Sequence, residues 1–472
     1  MPPASEKKTF TLNSIALLTN RLTQGIATFV ITATIARTLG AEILGQYLLA
    51  INYYYIFVNL SSQGFKTLFT RELTRNPEIT PIYLVSGTLL QLVFGLIGYV
   101  SMTILIFILP YRDTTSLICN LMGIMIIPFA LSNITEAIFQ AQEKMHLIAF
   151  STVPIYILRL LAIVWILHLH YGIVYVIDIL IISESLILVA QWLMLIKIVK
   201  PKWQIDRDFI WDTIKISRTF FALEGIGIIA SRIDILILSL LGSEALIGIY
   251  GAIAQLLQPY YIISSSISLA AFPSMSKAVA LGQEQQNKAA ANTIEILLCI
   301  SLPFLISIFF IGDQLLLFIY QDPSFAKEAI ILHIVSLSLI TGASARILSY
   351  LLIANGLEKL NLIEVVVTTV ISSLAGIILV SQYQLIGAAL MNLTIGFTNF
   401  GVMMYFVYDR LFHLNIWQII RRPLLMSFLM SIIFLVLSQI NLNFLLTVAI
   451  ATAAYVGLAS LLVLRKRPSI LS

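Results

Sequence analysis

The chain has 472 residues, of which 59% are hydrophobic and only 11% are Asp, Glu, Lys or Arg. Soluble domains carry roughly 25% charged residues, so an array of water-soluble domains is excluded and the class is a polytopic membrane protein. The net charge of +5 is spread over short loops, which makes it a topology signal and argues against a nucleic-acid partner.

About ten polar residues lead directly into an apolar stretch with no small-residue cleavage site. Residues 12–39 are therefore expected to form a first membrane helix and not a removed leader. Further apolar segments follow at 42–69, 80–109, 115–140, 146–168 and 172–197. A basic linker from Lys197 to Arg218 carries Trp203 and Trp211, which suit the headgroup level. Beyond it lie segments at 214–241, 244–276, 289–318, 326–354, 360–381, 385–408, 417–439 and 442–464. A bilayer core takes roughly 20 apolar residues per helix, so the expectation is an all-α membrane protein with fourteen transmembrane helices.

With an even number of spans both termini share one side. Loops on that side carry 20 of the 28 Lys and Arg residues, the opposite loops carry only Arg37, Arg112 and Lys327, and the other five lie within spans. Basic loops stay in the cytoplasm, which places both termini there.

The chain also repeats itself. Leu39-Gly40-Ala41-Glu42-Ile43-Leu44-Gly45-Gln46-Tyr47 after the first span matches Leu241-Gly242-Ser243-Glu244-Ala245-Leu246-Ile247-Gly248-Ile249-Tyr250 after the seventh, with one residue inserted. Glu143-Lys144-Met145-His146-Leu147-Ile148 matches Glu358-Lys359-Leu360-Asn361-Leu362-Ile363 in the same way. Two matches at corresponding places favour duplication over a common turn sequence. The expected organisation is an amino-terminal lobe of six helices (1–205), a pseudo-symmetric second lobe of six (206–411) and a two-helix appendix (412–472). Parallel repeats with a substrate site at their interface are a transporter architecture.

Ionisable residues inside spans cost about 2.5–3.5 kcal/mol each on insertion scales and normally face a bundle interior or a wet cavity. The deep ones are Arg21, Arg159, Glu184, Glu224, Arg232, Asp234 and Arg346. Arg159 and Glu184 each lie about thirteen residues from the cytoplasmic end of adjacent antiparallel spans, so a structural ion pair is expected. Arg21 aligns one residue from Glu224 across the repeat, which would set opposite charges at one depth in the two opening helices. A cavity holding Arg21, Arg232, Arg346 and Lys66 would suit a diphosphate, because guanidinium stays charged and grips phosphate bidentately. The alternative is that each cation neutralises a nearby carboxylate. Lys66, Glu136, Glu295 and Glu364 lie nearer the cytoplasmic ends, where long side chains can reach water. Asn20, Thr23 and Gln24 beside Arg21 offer hydrogen bonds to sugar hydroxyls, or pack against a neighbouring helix. Glu224 and Asp234 are candidates for coupling.

No cofactor and no metal site is expected. Cys119 and Cys299 fall within spans as reduced, buried thiols, and the five histidines form no ligand spacing. There is no phosphate-binding loop for an internal ATPase, and the external loops are too short for the catalytic sites of a membrane glycan polymerase.

Ala36-Arg37-Thr38-Leu39-Gly40, Gly45-x-Tyr47, Gly64 and Arg71-Glu72 resemble the opening of the polysaccharide repeat-unit flippases, the O-antigen and capsule translocases of the multidrug/oligosaccharidyl-lipid/polysaccharide exporter superfamily. Arg232-Ile233-Asp234-Ile235-Leu236-Ile237-Leu238, then Gly242 and Gly248-x-Tyr250, resemble that family's seventh helix. The resemblance implies two lobes around a V-shaped central cavity. It implies transfer of an undecaprenyl-diphosphate-linked oligosaccharide between leaflets, with cationic cavity residues on the diphosphate, a role carried here only to Arg21, Lys66, Arg232 and Arg346. It also implies an ion gradient (proton or sodium) as driving force, contact with membrane lipids, and glycan polymerases as partners. A cation-coupled drug exporter and a peptidoglycan-precursor flippase are the nearest alternatives. The former usually has twelve helices, and the latter more basic residues in the first helix than the one, Arg21, found here before Arg37.

Overall fold

In the computed structural model, residues 4–62, 65–440 and 444–462 are described, with the side chains of 4–11, 216–224, 226, 438, 439, 445 and 458–462 outside that description. The described residues form helices joined by short turns, with no strand among them. Nine helical stretches are long and apolar enough to cross a membrane, or ten if the bent pair Glu244–Leu256 and Gln258–Leu281 counts as one span. With no water in the hydrocarbon, every backbone group must be satisfied within the segment, which leaves helices as the solution for such a sequence. The chain is an all-α, multi-pass membrane protein.

Contacts divide the chain into two units, 1–248 and 249–472. The first contains α1 (Ala4–Ser62), α2 (Phe65–Arg75), α3 (Thr80–Ile108), α4 (Asp113–Gly123), α5 (Ile126–Ala141), α6 (His146–His168), α7 (Ile173–Ile196), α8 (Arg207–Ala230), α9 (Ile233–Leu241) and the first residues of α10 (Glu244–Leu256). Helix α1 packs along α6, α4 and α3, while α5 packs against α3, α2 and α7. Phe65, Phe69, Leu84, Ile138, Leu195 and Phe209 form part of its apolar core. Much of the surface is apolar as well, as with Phe107, Phe150 and Trp165, which is the lipid-facing side of such a bundle.

Helix α1 is two helices run together at Gly40, whose φ of 81° and ψ of 178° belong to a region that is essentially glycine-only. The break falls in the turn expected between residues 39 and 42. In the matching turn, Gly242 is extended, at φ −113° and ψ −171°.

The two copies of the repeated motif meet directly. A Cβ on Gly45 would overlap the carbonyl oxygen of Glu244, and a Cβ on Gly248 would overlap that of Ala41. Gly45 and Gly248 are the matched glycines of the two motifs, and Ala41 and Glu244 each lie one residue from the other's counterpart, Glu42 and Ser243. Each motif therefore offers its glycine to the other's helix start, which is the reciprocity of a two-fold contact. Bare glycine lets backbones approach where a side chain would hold them apart.

The second unit contains α11 (Gln258–Leu281), α12 (Gln283–Tyr320), α13 (Pro323–Lys327), α14 (Ala329–Ser336), α15 (Ser338–Ala354), α16 (Glu358–Arg410), α17 (Ile416–Gln439) and α18 (Phe444–Leu462). Helix α16 is broken at Gln384, with φ 51° and ψ −117°, so it too is two helices. Helix α12 is central: α11, α15 and α17 all pack on it. The last two helices meet it through a small apolar cluster of Ile311, Met430, Phe434, Leu437 and Ala451.

Gly45→Ala and Gly248→Ala are each expected to lower the thermal midpoint in detergent, since the clash is with backbone and costs about 1–3 kcal/mol. Gly401→Ala, which meets nothing within 4 Å, should leave the midpoint unchanged or raise it. Equal midpoints for all three variants would remove the close-approach argument.

Candidate functional site

Two polar regions stand out in the first unit, and each depends on charges that hydrocarbon would not otherwise accept. In the first, Arg159 of α6 donates from Nη2 to Glu184 Oε1 of α7 at 2.6 Å, and both side chains are about nine-tenths buried. The guanidinium also lies over the Tyr156 ring, 4.9 Å from its centroid. Gln24, Tyr47, Tyr54 and Tyr55 line the same small cavity. Tyr55 links it to Arg232, whose guanidinium carbon is 5.5 Å from the Tyr55 ring centroid. The cation–π contacts supply electron density where water is scarce.

In the second region Lys66 of α2 pairs with Glu136 of α5. Gln191 Nε2 donates to the other Glu136 oxygen at 3.3 Å and accepts from Thr135. Lys66 thus has a partner within its own unit, and the snorkelling read from its depth and that of Glu136 gives way to a mutual ion pair. Glu295 likewise meets Arg422, at 3.1 Å.

Among the other residues singled out by sequence, Arg21 is on an exposed face of α1 with no ion-pair partner among the described residues. Asn20 accepts from Thr152 Oγ1 of α6 at 2.7 Å, so one turn of α1 is tied down beside Arg21. Thr23 is half-buried. Asp234 accepts from the backbone N–H of Ile235 at 2.9 Å. The side chain of Glu224 lies outside the described residues.

In the second unit, Arg346 of α15 lines a half-open cavity of about 390 Å³. Three asparagines, Asn361, Asn392 and Asn399, line it with Glu364, which is 2% exposed. The sequence reading passed over these amides, because an uncharged residue in an apolar run costs less than a charge and stands out less. It also read Glu364 as reaching water, and burial overturns that: depth along a span does not give the direction in which a side chain points.

A further cluster was missed for another reason. Arg112 Nη1 donates to Glu42 Oε1 at 2.6 Å and to Glu244 Oε2 at 3.4 Å, and Thr115 and Gln46 also donate to Glu244. In the sequence the two glutamates mark a repeated turn, and nothing in either local pattern names them as partners of one arginine.

Residues 10–279 match the profile of a family described as "polysaccharide biosynthesis protein". The chain belongs to that family. Solved structures of the same fold include "Lipid II flippase MurJ, inward closed conformation", 18% identical over 96% of this chain and 98% of that one, with a TM-score of 0.75. An inward-facing multidrug resistance MATE family transporter of the MOP superfamily is 14% identical over 82% of this chain and 94% of that one, at 0.66. A MOP superfamily transporter from Pyrococcus furiosus is 13% identical over 86% and 95%, at 0.58. No curated protein matches the chain by sequence. At these identities the structural likenesses establish the fold: an α-helical membrane bundle shared with lipid-flippase and drug-exporter structures.

Breaking a buried ion pair on one side leaves an uncompensated charge, at about 3–5 kcal/mol, whereas replacing both partners by apolar groups is far milder. Arg159→Met and Glu184→Met should therefore each lower the thermal midpoint sharply, and the double variant should recover most of the loss. A double variant as unstable as the worse single one would mean the pair contributes through something besides mutual neutralisation.

Proposed function

We propose that this protein is a flippase that carries an undecaprenyl-diphosphate-linked oligosaccharide from the cytoplasmic to the periplasmic leaflet by alternating access. The family assignment supports a role in polysaccharide assembly, and the fold likeness to a lipid II flippase supports a lipid-linked substrate. The observation that carries the reading is a set of arginines on apolar helices. Arg21, Arg232 and Arg346 have no carboxylate within 4.0 Å among the described residues. An arginine held in hydrocarbon without a counter-charge is costly, so its retention fits an anion that comes and goes. A diphosphate offers several acceptor oxygens in the geometry the guanidinium fork prefers.

On this reading Arg21 and Arg232 in the first unit, and Arg346 in the second, each offer a guanidinium to the diphosphate in the course of transport, and Asn20, Thr23 and Gln24 meet the first sugar. Lys66, held by Glu136, takes a lesser part. Glu224 and Asp234 couple transport to a proton or sodium gradient, and the delivered glycan passes to a polymerase. The protein acts as a transporter and not an enzyme, in an inner membrane, with both termini cytoplasmic. The repeat boundary lies in the Lys197–Arg218 linker. The multidrug-exporter reading shares the fold, but unpaired cations suit an anionic cargo better than a cationic drug.

Arg21→Ala and Arg346→Ala should each abolish glycan export in a flippase-null strain while the protein still reaches the membrane, and Arg21→Lys should retain part of it. Complementation is scored by surface glycan and membrane level by immunoblot. Full export by either alanine variant would remove that arginine from the mechanism.

A further inference from the structure

The cavity in the second unit is built in a way that a diphosphate grip does not account for. Three helical segments each turn a polar stripe towards it. Ser338, Arg346 and Ser349 come from α15, Asn361 and Glu364 from α16 before its break, and Asn392 and Asn399 from α16 beyond it. Asn392 and Asn399 are seven residues apart, two helical turns, and so share one face. Gly396 lies between them. A Cβ there would come within 2.8 Å of Thr341 Oγ1, so glycine permits the close approach of α15 that forms the cavity wall.

Acceptors are left over in the cavity. The side-chain oxygens of Asn361, Asn392 and Asn399 are buried and have no donor among the described residues. Glu364 accepts one bond, from Thr368 Oγ1 at 2.7 Å. Beside them stand the guanidinium of Arg346 and the amide N–H groups of the same asparagines, of which Asn361 Nδ2 donates to the Ser349 carbonyl at 3.5 Å. Buried acceptors without donors are costly in an apolar environment, so the site calls for an occupant rich in O–H or N–H donors that also tolerates one cationic donor. A bare metal cation satisfies oxygens but would share the space with Arg346, and no group of three or more His, Cys, Asp or Glu exists among the described residues to hold one. A diphosphate would engage Arg346 but, being acceptor-only, supplies no donor to Glu364 or to the three amide oxygens. A pyranose ring fits both needs, since each hydroxyl donates and accepts. Its C–H faces find apolar wall in Val365, Ile395 and the Tyr261 ring. The volume of about 390 Å³ is at the small end of the ~300–1,000 Å³ typical of small-molecule sites.

We propose that this cavity is a glycosyl subsite that takes a hydroxyl-rich sugar ring of the cargo through Asn361, Asn392, Asn399 and Glu364, beside the Arg346 assigned to the diphosphate. The proposal rests on the flippase reading and adds to it a second place in the fold, apart from Asn20, Thr23 and Gln24, where a sugar of the cargo is recognised.

The test uses the full-length protein in detergent and four probes: undecaprenyl diphosphate alone, and the same lipid bearing a single N-acetylglucosamine, galactose or glucose. Affinities are read by native mass spectrometry. At least one glycosylated lipid should bind wild type about tenfold or more tightly than the bare lipid. Asn392→Leu combined with Asn399→Leu should erase that advantage and leave the bare lipid unchanged, with the thermal midpoint retained. If the leucine pair loses its thermal transition, Asn399→Ser, which keeps a polar group, is read instead and should erase most of the advantage. An advantage of undiminished size in the variant, or no advantage for any sugar in wild type while the bare lipid binds, overturns the subsite and leaves the flippase reading standing. If none of the four lipids binds wild type, the flippase reading itself fails, and the subsite with it.

Discussion

Two peptide backbones touching without side chains between them is the constraint on which the first unit turns. Gly45 meets the Glu244 carbonyl and Gly248 meets that of Ala41, so the starts of two helices cross at a separation only glycine allows. Such crossings lack interdigitated side chains, and their attraction comes from dispersion and from Cα–H···O contacts of about 0.5–1 kcal/mol each. The polar cluster beside them follows from that closeness. Glu42 and Glu244 stand on the two matched motifs, near enough to share Arg112, and two carboxylates brought together need a common cation. The glycines set the distance and Arg112 makes the distance tolerable.

The remaining charges divide by the same logic. Arg159 with Glu184 and Lys66 with Glu136 are neutralised within one unit, where aromatic rings and amides complete the coordination. These pairs fix how α6 meets α7 and how α2 meets α5. Arg21, Arg232 and Arg346 have no carboxylate within ion-pair distance among the described residues, and the last of them opens onto a cavity where three asparagine oxygens have no donor. Charge placement in this chain therefore has two uses, one that holds helices together and one that leaves polar capacity unspent.

Much of this was legible in the residues because hydrocarbon makes polarity expensive. The class, the helical content and the breaks near Gly40 and Gly242 follow from apolar runs interrupted by turn residues. Equal depth in antiparallel neighbours pointed from Arg159 to Glu184, and the two side chains lie 2.6 Å apart. What was not legible is rotation about the helix axis and the identity of non-sequential neighbours. Lys66 and Glu136 are 70 residues apart, and nothing in either local pattern names the other. Glu364 lies near a span end yet points inward. The segment expected as one span over 326–354 is a single stretch from Ala329 to Ala354 long and apolar enough to cross, built of α14 and α15 with Leu337 between them still at helical angles. The helix beginning at Gln283 runs to Tyr320, beyond the apolar stretch at both ends.

The last two helices rest on α12 through five apolar side chains, the Arg422–Glu295 pair and a hydrogen bond from Tyr455 to the Cys299 carbonyl. In water, uncovering such a face would be ruinous. In a bilayer, acyl chains are as apolar as the leucines they would replace, so the apolar part of this contact favours neither neighbour strongly, whereas separation would strip Glu295 of its counter-charge. The carboxy-terminal pair is thus a tethered attachment: two directional polar contacts fix its place on α12, while its apolar seam is of a kind that lipid could equally fill.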